Sequence, residues 1–108
     1  MQEKAILCET VEGIATITLN RPEVMNSVNF QLLRELDECL NRLRFDPAVR
    51  VVIISGAGNK AFCAGADLKE RAGLSPEQVK AFIFTIRRVF DDIEHFTKPV
   101  IAAVNGVA

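Results

Sequence analysis

Near its beginning the chain alternates polar and apolar side chains. Apolar or β-branched residues occupy every second position on both sides of VEGI at residues 11–14. Alternation around a glycine turn predicts a β-hairpin of two half-buried strands. The hairpin is expected to end at LNRPE, because Pro22 has no N–H to donate and disfavours helical geometry at Arg21. The positions that define the alternation are Ile6, Cys8, Ile14, Thr16 and Thr18.

Beyond the hairpin the apolar period lengthens to three or four residues, which is typical of an amphipathic helix. Asn29 is the expected N-cap of this helix, and Asp46 followed by Pro47 marks its expected end. The helix should therefore present one apolar face to the core. That face consists of Phe30, Leu33, Leu36, Leu40 and Leu43.

A second helix is predicted after residue 75. Ser75 is its expected N-cap, Pro76 lies in the first turn and Gln78 completes a capping box. The helix should end before Lys98 and Pro99. Its wide apolar stripe consists of Val79, Phe82, Ile83, Ile86, Val89, Phe90 and Ile93.

Two continuous apolar runs predict buried strands. VRVVIIS at residues 49–55 is expected to be covered on both faces, and VIAAVNGVA at residues 100–108 to form a buried strand that reaches the last residue. The order of strands and helices predicts an α/β fold with right-handed crossovers. Because no helix follows the last buried strand, we expect residues 1–108 to be one part of a larger protein.

The composition narrows the class of protein. The 108 residues are 49% apolar and carry a net charge of −1, which fits a globular domain without a general attraction to nucleic acid or anionic membrane. Three cysteines without a CxxC pair, and one histidine, argue against a disulfide framework and a zinc site. The chain lacks the apolar run of a signal peptide or membrane span. We expect the cytoplasm, or the mitochondrial matrix if a presequence has been removed.

Reactive side chains concentrate in the glycine-rich segment SGAGNKAFCAGAD at residues 55–67. Its glycines lie between a strand and a helix, as in phosphate-binding loops, but the spacing fits neither GxGxxG nor GxxxxGK[ST]. Cys63 could act as a nucleophile. However, His95 lies at the far end of the second predicted helix. Filling apolar space beside Phe62 is the favoured role of Cys63.

The charged residues of this segment have ordinary structural roles as well as chemical ones. Asp67 could be a general base, but capping a short helix is the usual role of Asp at such a position, and its i,i+4 spacing from Arg71 invites a surface ion pair. Lys69 is either a solvated charge or a contact to a ligand phosphate. The backbone is a third candidate: residues 64–66 are small enough for close approach of a ligand, and the Ala66 N–H would lie at a helix start.

Three separated stretches together resemble the crotonase superfamily, the enoyl-CoA hydratase/isomerase group. They are ITLNRPEVMNS, AFCAGADLKE and KPVIAAVNGVA, and they cover essentially the whole chain in order and at suitable spacing. FCAGADLKERAGLS is especially similar to the branch that includes methylglutaconyl-CoA hydratases. The resemblance implies an α/β fold built as a crotonase-like spiral of ββα units, of which residues 1–108 are the N-terminal part. It also implies assembly as homotrimers or homohexamers.

The resemblance further implies a site for an acyl-CoA thioester. In such enzymes two backbone N–H groups hold the thioester carbonyl, and the first belongs to the residue that matches Ala66. Coenzyme A is then part of the substrate, and neither a tightly bound cofactor nor a metal is implied. The residues implied to bind the substrate are Val24, Ala64, Ala66, Asp67, Leu68 and Lys69.

The acid and base residues of the family would lie beyond residue 108, together with the second N–H donor. Gly106 is expected to be a turn residue rather than that donor, and the 108-residue chain alone is expected to be inactive. The implied reaction adds water to a 2-enoyl-CoA. The alternatives are an isomerase, another crotonase-type reaction on acyl-CoA, or a truncated CoA-binding module without catalysis.

RNA binding is a further hypothesis, because some relatives of the methylglutaconyl branch are described as binding RNA through basic helix residues. The acidic residues beside the helix arginines argue instead for a solvated surface. The arginines in question are Arg34, Arg42, Arg44, Arg87 and Arg88.

Overall fold

The computed structural model describes residues 4–108, which form four strands, three α-helices and one 3₁₀ turn. None of the helices in this range is long and apolar enough to cross a lipid bilayer. Along the chain the elements are β1 (Ile6–Val11), β2 (Ile14–Leu19), the 3₁₀ turn (Pro22–Val24), α1 (Phe30–Arg44), β3 (Val51–Gly56), α2 (Leu68–Ala72), α3 (Pro76–Glu94) and β4 (Val100–Ala102).

The strands form one sheet in the order β1, β2, β3, β4. The predicted hairpin is confirmed, since β1 and β2 pair antiparallel. Glu12 and Gly13, which connect them, both have positive φ, 51° and 82°, as two-residue hairpin turns favour. The β2–β3 and β3–β4 pairs are parallel, and α1 and α3 lie within the two crossovers.

Helix α1 supplies most of the core and confirms the prediction from its leucines. Asn29 accepts a hydrogen bond from the Leu32 N–H at 2.9 Å and so caps the helix. A fully buried leucine stabilises a fold by about 1.5–3 kcal/mol relative to an exposed one, so this face anchors the sheet. Its buried residues are Leu32, Leu33, Leu36, Cys39, Leu40 and Leu43, which pack with Ala15, Ile17, Leu19, Val52 and Ile54.

Helix α3 begins as predicted but is less buried than predicted. Both hydrogen bonds of the Ser75–Gln78 capping box are present. Within the predicted stripe only Phe82 and Val89 are buried, whereas Ile83 is 37% and Phe90 45% exposed. The helix packs on α1, with the Phe82 ring 4.9 Å from that of Phe30 in an edge-to-face arrangement. Ile86 and Ile93 are half-buried against the core, so the uncovered part of the stripe is at Ile83 and Phe90.

The two strands predicted to be buried are also less covered than expected. In β3 one face is buried and the other is half-buried, in strict alternation. Strand β4 ends at Ala102 instead of reaching residue 108, and Ile101 is 54% exposed. The prediction of a long buried strand was wrong, because β4 is the edge strand and the segment after it leaves the sheet to bind the loop after β3.

Candidate functional site

The glycine-rich loop after β3 is held in place by the segment that follows the 3₁₀ turn. The Ala64 N–H donates to the Met25 carbonyl at 3.0 Å, and the Val28 N–H donates to the Gly65 carbonyl at 2.7 Å. The Asp67 N–H donates to the Val28 carbonyl at 2.8 Å. The segment after the 3₁₀ turn and the loop after β3, which α1 and β3 separate in the sequence, therefore meet as two short parallel segments.

Ala66 lies at the centre of this contact and forms an isolated parallel bridge with Val28. In such a bridge the peptide groups on either side of Ala66 bond to Val28, so that its own N–H points to the opposite side. Across the described residues 4–108 that N–H makes no hydrogen bond. Gly65, at φ 92°, borders open space. A rigidly held backbone donor is thus available at a half-buried position.

Asp67 caps α2 as predicted, since its carboxylate accepts hydrogen bonds from the Lys69 and Glu70 N–H groups. The predicted pair with Arg71 was wrong: the carboxylate binds Arg21 at 3.0 Å. Arg21 reaches it because its second guanidinium nitrogen is fixed on the Ser27 carbonyl at 2.6 Å. The pairing is between two loops rather than along one helix face.

Opposing influences act on the pKa of Asp67. Burial raises the pKa, but hydrogen bonds from the Glu70 N–H and the Arg21 side chain outweigh it, with the positive charge of Arg21 and the Lys69 N–H adding to them. The net effect holds the pKa below its ordinary value of 3.8. Asp67 is therefore an ionised structural group, and not a general base.

Asn26 ties the two loops together, and sequence reasoning missed it. Its side chain is 0% exposed. It accepts from the Arg21 N–H at 2.8 Å and donates to the carbonyls of Ala57 and Ala61, each at 3.0 Å. Its backbone has φ 56°, a conformation that Asn tolerates better than most residues. The signal in the sequence was an asparagine a few residues after NRP, where both a turn and a polar anchor are needed.

The C-terminal segment holds the other side of the same loop. The Phe62 N–H donates to the Val107 carbonyl at 2.8 Å, and the Asn105 amide donates to the Gly56 carbonyl at 2.9 Å. Gly106 packs directly on the main chain of Lys60, because a Cβ at Gly106 would lie 2.7 Å from the Lys60 carbonyl oxygen. Close backbone approach explains this glycine.

The remaining predicted site residues surround the loop at different depths. Val24 is half-buried in the 3₁₀ turn, Leu68 is 74% exposed and Lys69 is exposed on α2. Cys63 is half-buried and packs against the core, which supports its predicted space-filling role. The His95 ring lies 2.9 Å from the Asp91 carbonyl of its own helix.

An apolar groove of about 610 Å³ lies beneath the loop, between the sheet and the two long helices. Such a groove suits an apolar chain or another polypeptide element. Within residues 4–108 no group of three His, Cys, Asp or Glu side chains is placed to hold a metal ion. The groove walls include Leu32, Leu36, Ile54, Cys63, Phe90 and Ile93.

Two of the helix arginines considered for RNA binding are engaged in ion pairs. Arg44 binds Asp92 and Arg88 binds Asp37 at 3.1 Å, so both pairs join α1 to α3. The hydrogen bond and charge of Asp37 raise the pKa of Arg88. These contacts favour the solvated, internally paired helix surface that the sequence indicated.

Comparison with known proteins identifies similar chains over nearly the whole length. The family model described as enoyl-CoA hydratase/isomerase matches residues 9–108. The chain is 41% identical over 108 residues to crotonyl-CoA hydratase of Syntrophomonas wolfei, covering 100% of this chain and 42% of that protein. It is 40% identical over 100 residues to mitochondrial methylglutaconyl-CoA hydratase of Homo sapiens, covering 93% of this chain and 30% of that one.

The fold comparison agrees with the sequence comparison. The crystal structure of an enoyl-CoA hydratase from Bacillus anthracis superimposes with a TM-score of 0.93 and 45% identity, over 96% of this chain and 41% of that chain. The expected crotonase-like α/β fold is confirmed. The chain spans 30–42% of the length of these proteins, and the matched residues of this chain include the loop after β3 and the capped α2.

Proposed function

Because the chain belongs to the enoyl-CoA hydratase/isomerase family, we propose that it is the acyl-CoA-binding half of an enoyl-CoA hydratase-type lyase. The names of its relatives support a hydration or isomerisation of a CoA thioester. The single observation that carries the proposal is the Ala66 N–H, which is held between two loop anchors and has no hydrogen-bond acceptor within residues 4–108.

The proposed reaction adds water across the double bond of a 2-enoyl-CoA. The oxygen of water adds to the β-carbon while the water gives up one proton to a base in the rest of the protein. The electron pair of the double bond moves toward the thioester, so that an enolate forms with its charge on the thioester oxygen. A donor already aimed at that oxygen stabilises this charge, and loss of one such donor typically costs about 2.7–4 kcal/mol. A proton then adds at the α-carbon. Ala66 would supply the donor from its backbone, where no reactive side chain is required.

The proposed substrate-binding residues differ in whether their side chains are already bonded within the protein or are exposed. Asp67 is engaged with α2 and Arg21. It would therefore hold the loop in position in addition to contacting coenzyme A. The exposed Leu68 and Lys69 would contact the coenzyme A portion, with the Lys69 charge facing its phosphates. Ala64 and Val24 would border its path. Coenzyme A enters as part of the substrate, and the proposal includes no tightly bound cofactor.

The rest of the proposal concerns the whole protein. The proton-transfer residues and the second oxyanion donor would be supplied by polypeptide corresponding to the remaining three fifths of the relatives, so the 108-residue chain alone should be inactive. Assembly as a homotrimer or homohexamer belongs to the same proposal. The proposed location is the cytoplasm or, after removal of a presequence, the mitochondrial matrix; a human relative is named as mitochondrial.

A hybrid enzyme tests this function directly. Residues 1–108 would replace the matching part of the Bacillus anthracis enoyl-CoA hydratase, whose fold is closely similar, and crotonyl-CoA hydration would be measured. We expect turnover by the hybrid and none by the 108-residue chain. A hybrid that folds and binds CoA without hydrating the substrate would favour the non-catalytic module, and one that only shifts the double bond would favour the isomerase.

Substitution of Ala66 tests the donor itself. In the hybrid, Ala66→Pro removes an N–H that makes no internal hydrogen bond, so kcat should fall by about 10²–10³ with the melting temperature little changed. Ala66→Gly keeps the N–H and should keep activity, and Cys63→Ser should be nearly silent. Turnover by Ala66→Pro equal to that of its parent would refute the oxyanion role.

A further inference from the structure

Two cysteines, one on β1 and one on α1, line the same cavity away from the loop described above. Cys8 lies on the face of β1 that also carries the buried Ile6, and Cys39 is one of the buried residues of α1. Cys39 is 3% exposed, whereas Cys8 is half-buried. The Cys8 thiol is close enough to contribute to the raised pKa of Cys39, and both side chains border the same cavity.

The register of this pair is fixed by hydrogen bonds. The Glu35 carboxylate accepts from the Ala5 and Ile6 N–H groups at 2.9 and 3.1 Å. Cys8 follows Ile6 on the same face of β1, and Cys39 lies one helical turn after Glu35. The contact of Glu35 with β1 therefore fixes the positions of both cysteines. Their proximity is therefore a property of the packed interface.

The pair is accessible from outside through a cavity of about 360 Å³ that both cysteines line. Arg42 also lines the cavity, and its guanidinium lies 3.7 Å from the Cys39 sulfur. A cavity of this size admits a small oxidant to the more exposed Cys8. The guanidinium supplies a positive charge where the second sulfur must become an anion.

We propose that Cys8 and Cys39 form a modification site in which hydrogen peroxide closes a reversible disulfide between β1 and α1. Cys8 reacts first, because it is the more exposed thiol. Burial and the hydrogen bond with Cys8 raise the pKa of Cys39 to about 12, against the lowering effect of Arg42. The buried thiol therefore acts second, on a sulfur that is already activated.

The chemistry balances in two steps. The Cys8 thiolate attacks one peroxide oxygen, the O–O bond breaks, Cys8 becomes a sulfenic acid and the other oxygen leaves as hydroxide that is protonated to water. The Cys39 sulfur then attacks the Cys8 sulfur, the S–OH bond breaks and the proton of Cys39 leaves with that hydroxide as a second water. Both sulfurs are oxidised, and both peroxide oxygens are reduced.

Mass spectrometry of the full 108-residue chain tests the proposal. The native chain would be treated with hydrogen peroxide, quenched with an alkylating reagent and digested. We expect the oxidised chain to be lighter by two hydrogens before alkylation, and the digest to contain a peptide pair that links Cys8 to Cys39 together with an alkylated Cys63. Dithiothreitol added before the alkylating reagent should return three free thiols. Persistence of alkylatable Cys8 and Cys39, or a link from either to Cys63 or to a second molecule, would overturn it.

Two matched variants and a second probe keep the result independent of folding defects. Cys63→Ser should close the disulfide as the parent does, and Cys8→Ser should lose it while keeping the parent's circular dichroism. Phenylarsine oxide, which binds two adjacent thiols, should bind the parent and Cys63→Ser in equal amounts, with loss of binding in Cys8→Ser. Absence of arsenical uptake by the folded parent would contradict the pairing before any oxidant is added.

Discussion

Asn26 connects three backbone groups that would otherwise lack partners in the centre of the candidate site. Replacing it by Ala leaves the Ala57 and Ala61 carbonyls and the Arg21 N–H unpaired and puts a poorly suited residue at φ 56°. We expect Asn26→Ala to lower the free energy of unfolding by about 1–3 kcal/mol, measured by urea denaturation. Asn59→Ala, at an exposed position of the same loop, should change it by less than about 0.5 kcal/mol. Equal stability of the two variants would contradict the anchoring role.

The ionised state of Asp67 should give the site a pH dependence of its own. Its pKa is held below the ordinary 3.8, so its contribution is fully present above that value and is lost as pH falls through the lowered pKa. The stability difference between the parent and Asp67→Asn should therefore be constant near neutrality and shrink below about pH 4. Ser75→Ala removes an N-cap without a titratable group, and its deficit should not follow this course. A pH-independent deficit for Asp67→Asn would exclude the charge as the cause.

For single residues, the sequence predicted the local helix caps but not the hydrogen bonds and ion pairs between residues that are distant in sequence. Caps at Asn29, Asp67 and Ser75 depend on neighbouring residues, so they were predictable. The partner of Asp67 was not, since Arg21 is 46 residues away and the nearby Arg71 satisfies the same charge rule. The same distance in sequence hides the role of Asn26. The small residues 64–66 and the helix start after them made the Ala66 N–H a candidate, the family resemblance added its role as an oxyanion donor, and that role stays a prediction.

Among the elements, β3 and the loop after it are joined most tightly at Gly56. A Cβ there would lie 2.5 Å from the Phe62 carbonyl oxygen and 2.8 Å from the Asn26 amide nitrogen. Gly56→Ala should therefore displace the loop from the strand end and cost about 1–3 kcal/mol of stability.

Gly73→Ala is the matched control, because its Cβ would meet the Glu70 carbonyl only at 3.6 Å and the residue has an ordinary helical φ of −87°. Urea denaturation of both variants measures the difference. A Gly56→Ala chain as stable as Gly73→Ala would show that the loop can move away from the strand without cost.

The type of each element was predictable from its apolar period, but its coverage was not. The leucines of α1 find a sheet to pack on, and their stripe is buried. The stripe of α3 and the apolar run at β4 carry equally strong patterns, yet Phe90 and Ile101 are exposed. An apolar pattern in the sequence shows that an element has an apolar face, but it does not show whether another element covers that face. Within residues 4–108 that partner is absent for these two faces.

On the scale of the whole molecule, the apolar groove should be measurable in solution. A dye that fluoresces in apolar surroundings should bind the 108-residue chain at the groove, and Phe90→Ser, at its wall, should reduce the signal. Phe45→Ser removes a phenylalanine that is 82% exposed and outside the groove lining, and it should leave the signal nearly unchanged. An equal loss in both variants would mean that the dye reports general surface hydrophobicity.

The anchors of the loop after β3 have a consequence for the order in which the chain folds. Asn26 reaches Ala57 across 31 residues, Arg21 reaches Asp67 across 46, and Asn105 reaches Gly56 across 49. Contacts between residues so distant in sequence form only when the intervening chain has lost the conformational entropy of loop closure. The hairpin and α1 can assemble locally, whereas the Ala66 segment must wait for β3, α2 and the C-terminal residues. We therefore expect the candidate site to become ordered last, and under the proposed function a bound substrate would slow its opening more than that of any other segment.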